Sequence, residues 1–341
     1  MRTRLRGLAR SPVAASLLAA MASILEPAGR RGPWDVAILT YHRVDEPGAR
    51  PHLYPGLISA TPVAFEAQLR ELRRRANPVS MDALLAVMRG QGRLPDRPLL
   101  ITVDDGYEDF AEHIWPRMRR HGIPVTLFVP TAYPDDPTRG FWWDRLSHAV
   151  RTTDQPSIQV DGAVLGLSGG AARLATFRRL RAIVKATPHM RAMAMVEGWC
   201  STLGVPDARS AVLGWEALRS LASEGVTIAP HTRTHPLLTQ VDDADLTAEI
   251  DGSRSDLERE LGPCQPVFAY PSGAYDDRVV ASVRRLGFEL AFTTVRGRVD
   301  LRQPDPLRLR RINVGGATSI GALRLQLIRG VGAPLSVLGP D

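Results

Sequence analysis

Two adjacent carboxylates, Asp104 and Asp105, precede Gly106 at the exit of the apolar run Pro98–Val103, in PLLITVDDGYEDF. Like charges this close raise one another's pKa, and apolar surroundings add to the cost. A bivalent cation relieves it, and then one carboxylate can bind the ion while the other moves a proton. An isolated Asp-Asp-Gly reads more readily as a turn with two solvated acids. A second pair of residues shifts the balance: His231 and His235, in HTRTH, follow the apolar run VTIAP. The His-x-x-x-His spacing puts two imidazoles one helical turn apart, within reach of a single ion, although such pairs also occur as solvated helix starts. Hydrolytic zinc sites take three protein ligands and keep a position for water. His231, His235 and one carboxylate complete that set, with the other carboxylate free to act as base. Two histidines and one carboxylate favour zinc over magnesium or calcium among divalent metals.

The elements that must position these groups follow from the spacing of apolar residues. Strands are expected at Val36–Tyr41, Pro98–Val103, Val125–Pro130, Val226–Pro230, Gln265–Tyr270, Glu289–Thr294 and Leu307–Val314. Helical patterns separate them. Pro62–Arg74 has Thr61 as N-cap and Pro62 at its first position, and Ser80 caps Ser80–Arg89. Tyr107–His121, Trp215–Glu224, Asp242–Leu261, Asp276–Leu286 and a closing helix near Ser319–Arg329 complete the series. This alternation predicts an α/β fold: a distorted (β/α) barrel of about seven parallel strands. No glycine-rich phosphate loop follows the first strand. Residues 144–213 break the rhythm with a polar turn region, Asp154–Gly170, and a helix-like stretch, Ala171–Leu203, read as an insertion beside the barrel. Its role is structural cover or the shaping of a substrate cleft.

In this frame the polar residues share one position, each after a strand. His42 follows VAILTY, the aspartates follow PLLITV, the histidine pair follows VTIAP, and Ser272-Gly273 follow VFAYP. Loops after the strands build the active face of a β/α barrel, so four strand ends converge on one rim. His52, His113, His121, His148 and His189 read as surface or packing residues. Trp142 and Trp143 read either as a sugar-stacking edge or as packing against the insertion. Core packing is the default for Tyr41, whereas Tyr107 could line the cleft.

The chain has 341 residues, 44% hydrophobic and 23% charged, the composition of a soluble globular protein with a large core. The net charge of +7 rests almost wholly on arginine, with Lys185 the only lysine. A basic balance permits an acidic polymer or an anionic membrane surface as partner. No basic stripe with interleaved aromatics is present, so nucleic acid is not expected. Cys200 and Cys264 lack metal-type spacing and read as independent thiols. Residues 1–33 form a lead in which Arg2, Arg4, Arg6 and Arg10 precede the mildly apolar Pro12–Leu25. Ala20-Met21-Ala22 resembles a signal cleavage pattern, while Leu17, Leu18, Met21, Ile24 and Leu25 share one helical face, suited to a membrane surface. A cytoplasmic or membrane-associated place is slightly favoured over export. The catalytic domain is expected at 34–330, with a tail at 331–341.

The blocks VDDGYEDF, HTRTH and FAYPSGAY, in that order, resemble the polysaccharide deacetylases of carbohydrate esterase family 4. The opening ILTYHRV is similar to the subgroup that includes poly-N-acetylglucosamine deacetylases. The resemblance runs from about Val36 to about Val314, interrupted by the insertion. It implies that Asp104 is the general base and that Asp105, His231 and His235 hold the metal. It implies an oxyanion contact from the backbone N–H of Ser272 and a general acid at His42. Two departures stand out. The arginine that orients the base in many members is Ala269 here, with Arg310 or Arg311 as candidate substitutes. The late leucine-x-histidine block reads RRINV, without a histidine, which strengthens the case for His42. The reaction implied is metal-dependent removal of N-acetyl groups from an amino-sugar polysaccharide or oligosaccharide. Alternatives are another amidase or an O-acetyl esterase on the same scaffold, or a non-catalytic glycan-binding module.

Overall fold

The computed structural model describes residues 32–136, 139–206 and 211–328. The expected lead through residue 31, the end of the closing helix and the tail lie outside them. Seven strands form the barrel: β1 Asp35–Tyr41, β2 Pro98–Asp104, β3 Thr126–Val129, β4 Thr227–Pro230, β5 Val267–Ala269, β6 Leu290–Arg296 and β7 Leu309–Asn313. Their hydrogen-bonded order is β5-β6-β7-β1-β2-β3-β4, and every neighbouring pair is parallel. The order is the chain order closed into a ring, broken between β4 and β5. The expected distorted (β/α) barrel is therefore observed, nearly closed.

Strands buried on both faces must be apolar throughout, and period-two alternation sorts their residues. Ala37, Leu39 and Tyr41 of β1 pack outward with Leu99, Ile101 and Val103 of β2 against Phe65, Leu69 and Leu72 of helix α1, Pro62–Arg75. Val36, Ile38, Leu100, Phe128, Phe292 and Leu309 form a second buried cluster on the other face of the strands. The caps behave as expected: Thr61 accepts from the Ala64 N–H at 3.2 Å and Ser80 from the Ala83 N–H at 3.2 Å.

Three local expectations need correction. The segment expected to be helical over Tyr107–His121 begins as a turn, passes through a π-helical stretch at Phe110–Ile114, and becomes α-helical only at Trp115–Arg120. Pro116 explains the widening, because it lacks an amide N–H and its ring displaces the carbonyl one turn earlier. The polar region Asp154–Gly170 is not merely a turn. It contains a hairpin, Ser157–Val160 against Ala163–Gly166, joined by Asp161-Gly162, both with positive φ (49° and 78°). That is the backbone of a two-residue hairpin turn, for which Asp-Gly is a favoured sequence. Finally, Ala171–Leu203 divides at Pro188 into two helices, Gly170–Lys185 and His189–Leu203.

Between β3 and β4 these helices, the hairpin and a third helix, Trp142–Thr152, share their own apolar cluster, with Leu146, Val150, Phe177, Leu180, Val196 and Trp199 at its centre. Tyr54, in the loop after β1, packs on Phe177 with ring centroids 4.8 Å apart, fastening this unit over the barrel mouth. Among the described residues no helix is long and apolar enough to cross a membrane. Leu180→Ala should lower unfolding stability by about 2–5 kcal/mol in a urea titration, the range for emptying a fully packed leucine site. A change below about 0.5 kcal/mol would show that the insertion core does not support the fold.

Candidate metal centre and its buried arginine

Arg311 lies on β7 two residues after Leu309 and points into the barrel, whereas Arg310 faces solvent. Its guanidinium is buried, and each of its three nitrogens donates to at least one acceptor. Nε donates to the Thr293 carbonyl at 2.9 Å, and one terminal nitrogen donates to the Thr40 and Thr102 hydroxyls at 3.1 and 3.2 Å. The two terminal nitrogens donate to Asp104 Oδ1 and Oδ2 at 2.8 and 2.7 Å. The ring of Phe128 lies 6.0 Å from the guanidinium carbon. Of the two candidates for the arginine absent at Ala269, Arg311 and not Arg310 is the one that reaches Asp104. Burial by itself pushes the Asp104 carboxyl up, but Arg311, with His231 and His42, reverses this and holds it well below the usual carboxylate range.

Asp105 takes the opposite course. Burial, followed by the charges of Asp104 and Asp144, drives its pKa well above normal. Its Oδ1 lies 3.7 Å from His231 Nε2 and 3.5 Å from His235 Nε2. The ligand atoms of the three buried residues fall within 4.8 Å of one another. His231 Nδ1 lies 2.7 Å from the Ala269 carbonyl, so Nδ1 carries the hydrogen and Nε2 presents a lone pair. That bond also bridges the open seam between β4 and β5. Burial lowers both histidines, His231 to about 4 against the opposing charge of Asp104 and its bond to the Ala269 carbonyl, so both are neutral imidazoles near pH 7. A carboxylate that is costly without a cation, beside two neutral imidazoles, is a donor set suited to a divalent ion.

The histidine pair is not on a helix. Residues 231–235 form a loop, and the rings meet because Thr232 and His235 have positive φ, 66° and 59°. His235 N–H donates to Thr232 Oγ1 at 3.0 Å. Glu249 accepts the N–H groups of Arg233 and Thr234, both at 2.8 Å, and Asp256 accepts from Arg233 and Thr131. Both acids lie on the helix Asp243–Leu261, which clamps the loop from outside. Asp105 and Ser272 also have positive φ, 77° and 52°, so four of six such non-glycine residues among those described are at this site. Strain of this kind is retained where the surroundings over-determine it.

His42 directly follows the first strand, and its own N–H donates to Ser59 Oγ at 3.0 Å. The adjacent Arg43 donates to Asp109 and Asp45 at 2.8 and 2.7 Å, tying this loop to the one that carries the aspartates. Burial lowers the His42 pKa despite the opposing charge of Asp104. Ser272 closes the tight turn Pro271–Gly273, and among the described residues its N–H has no hydrogen-bond acceptor. A side chain at Gly273 would collide with Thr294, which sets how closely β6 approaches this turn.

All six expected site residues, His42, Asp104, Asp105, His231, His235 and Ser272, line one open pocket of about 520 Å³. The insertion supplies Trp142, Trp143, Arg181 and Lys185 to the same pocket. Trp143 meets His235 edge to face at 4.7 Å and stacks on Phe141 at 4.4 Å. Its indole N–H donates to Tyr107 at 2.9 Å, and Tyr107 donates to Asp144 at 2.7 Å. Trp143 thus packs against a candidate ligand, and Tyr107 serves as its buried support. Tyr41 is core, as expected. Arg181 and Lys185 were not legible as site residues, since charges four apart on a helix ordinarily mark a solvated face.

A family model described as polysaccharide deacetylase matches residues 170–291. Over those residues the chain is similar to polysaccharide deacetylases. Solved structures agree in fold. A Streptococcus pyogenes deacetylase, PplD, in complex with acetate, superposes with a TM-score of 0.59 at 19% identity, covering 87% of this chain and 99% of that one. A de-N-acetylase from Aggregatibacter actinomycetemcomitans gives 0.57 at 14%, covering 86% and 99%. IcaB from Ammonifex degensii gives 0.54 at 17%, covering 87% and 98%. Among curated proteins, none matches this sequence.

Arg311→Met should strand Asp104 and destabilise the metal-free protein by about 3–5 kcal/mol near neutral pH. The sign with pH follows. Paired, Asp104 is more acidic folded than unfolded, so its contribution is present above the ordinary carboxylate pKa and fades as pH falls below it. Unpaired, burial makes it less acidic folded than unfolded, and acidification then relieves the penalty. Urea unfolding with chelator should show the variant's deficit shrinking between about pH 7 and pH 4. An equal deficit at both would mean that Asp104 does not depend on Arg311.

Proposed function

We propose that this protein is a deacetylase that hydrolyses N-acetyl groups on an amino-sugar glycan, using a divalent metal, with zinc preferred. The observation that carries the reading is the division of labour between the two aspartates. Asp104 is held ionised by Arg311, while Asp105 faces two neutral imidazoles. Asp105, His231 and His235 would hold the ion. When bound, the ion polarises the acetyl carbonyl and makes water more acidic.

Asp104 is the general base and takes the proton from attacking water. Its clamp against Arg311 fixes its direction and keeps it from titrating before the reaction. The Ser272 N–H is the donor for the oxygen that becomes negatively charged as the carbonyl is attacked. His42 is the general acid for the departing amine. In the free protein burial keeps His42 neutral near pH 7, so the proton it delivers must first arrive during turnover. A protonated Asp104, strongly acidic beside Arg311, is its source. The order is then water to Asp104, Asp104 to His42, and His42 to nitrogen. A binding module would have no use for an aspartate held ionised beside a ligand set, which disfavours the non-catalytic alternative.

Asp104→Asn should retain metal yet lose on the order of 10²–10⁴ in acetate release. His231→Ala should lose the metal as well, as read by metal analysis of the purified proteins. Near-normal acetate release by Asp104→Asn would remove it as base. His42→Gln should lose a similar factor on an N-acetylated amino sugar but little on an aryl acetate, whose leaving group needs no proton. Equal losses on both substrates would exclude His42 as the acid.

A further inference from the structure

Arg181 and Lys185 stand one turn apart on the helix Gly170–Lys185 and line the same pocket as the six site residues. Neither has a carboxylate partner among the described residues. Among those residues Arg181 donates only to the Tyr54 hydroxyl, at 3.4 Å. The packing around Lys185, and then the charge of Arg181, lower its pKa, although the side chain keeps contact with water. Two like charges therefore share a pocket wall with no internal counterion. They are not needed to neutralise the aspartates, since Asp104 is matched by Arg311 and Asp105 faces the candidate metal position. Trp142 lines the same pocket.

We propose that this wall is a subsite for an anionic group, a carboxylate or a phosphate, borne by the N-acetylated sugar or by the residue adjoining it. Its substrate would then be an acidic glycan or glycosyl phosphate and not a neutral amino-sugar homopolymer. The inference rests on the deacetylase reading above. The chemistry suits it: a guanidinium and an ammonium each give charge-assisted hydrogen bonds to anionic oxygens, and the open pocket mouth admits a chain.

The test compares acetate release from three substrates: a neutral N-acetylglucosamine tetrasaccharide, a tetrasaccharide alternating uronic acid with N-acetylglucosamine, and N-acetylglucosamine 1-phosphate. The wild-type protein should prefer at least one anionic substrate by about tenfold or more in kcat/KM, chiefly through KM, as expected for one charge-assisted hydrogen bond. Which one is preferred separates carboxylate from phosphate. In Arg181→Gln/Lys185→Gln the ratio of anionic to neutral kcat/KM should fall towards one, and Lys185→Arg should keep it. A ratio near one in the wild type overturns the subsite and leaves deacetylation standing. Acetate release from none of the three counts against the deacetylase reading instead. A second readout is independent of turnover. Lys185 is the only lysine in the chain, so reductive methylation followed by peptide mass mapping reports on it alone. The anionic ligands should slow its modification and the neutral one should not. Equal rates with all three would overturn the subsite.

Discussion

A guanidinium buried at the centre of a barrel is the constraint around which this structure is organised. Removing Arg311 and Asp104 from water is costly, and their attraction offsets that cost only if every remaining donor is satisfied. The barrel brings acceptors to the guanidinium from three other strands. Thr40 on β1, Thr102 and Asp104 on β2, and the Thr293 carbonyl on β6 all meet the arginine of β7. Below this polar layer lie Ile38, Leu100, Phe128 and Phe292. The arrangement stabilises little by itself. It fixes one protonation state and one orientation for a carboxylate at the mouth of the barrel.

The neighbouring groups are held by a different device. Asp105, Thr232, His235 and Ser272 occupy left-handed backbone conformations, each costing of order 1–3 kcal/mol. Surrounding contacts keep them there. Glu249 and Asp256 reach in from one helix, and the Ala269 carbonyl fixes His231 across the open seam. From the other side the insertion returns to the aspartate loop, where Glu108 N–H donates to the Ala211 carbonyl at 2.7 Å and Leu213 N–H to the Gly106 carbonyl at 2.9 Å. The insertion is therefore part of the site, contributing both support and pocket wall.

Much of this was legible in the sequence because it depends on local order. Apolar runs marked the seven strands, and residues placed directly after them had to reach one rim. The choice between Arg310 and Arg311 stayed open in the sequence, because Leu307 and Leu309 favour one parity for β7 and Ile312 and Val314 the other; the fold buries Arg311 and exposes Arg310. The Asp161-Gly162 hairpin carried a plain signal within a stretch that looked merely polar. Other features had no local signature. A helical reading of HTRTH was reasonable by spacing, and only contacts from Glu249 and Thr131, distant in the chain, force the loop. Arg181 and Lys185 resemble any charged helix face until the fold turns that face towards the pocket.

The central claim is that Asp104, aimed by Arg311, acts beside an ion held by Asp105, His231 and His235. It is tested most directly by acetate release from N-acetylated amino-sugar oligosaccharides before chelation, after chelation, and after zinc is returned. The account predicts activity that disappears with the metal and recovers as one ion per chain is restored. Full-rate acetate release from verified metal-free protein would contradict it.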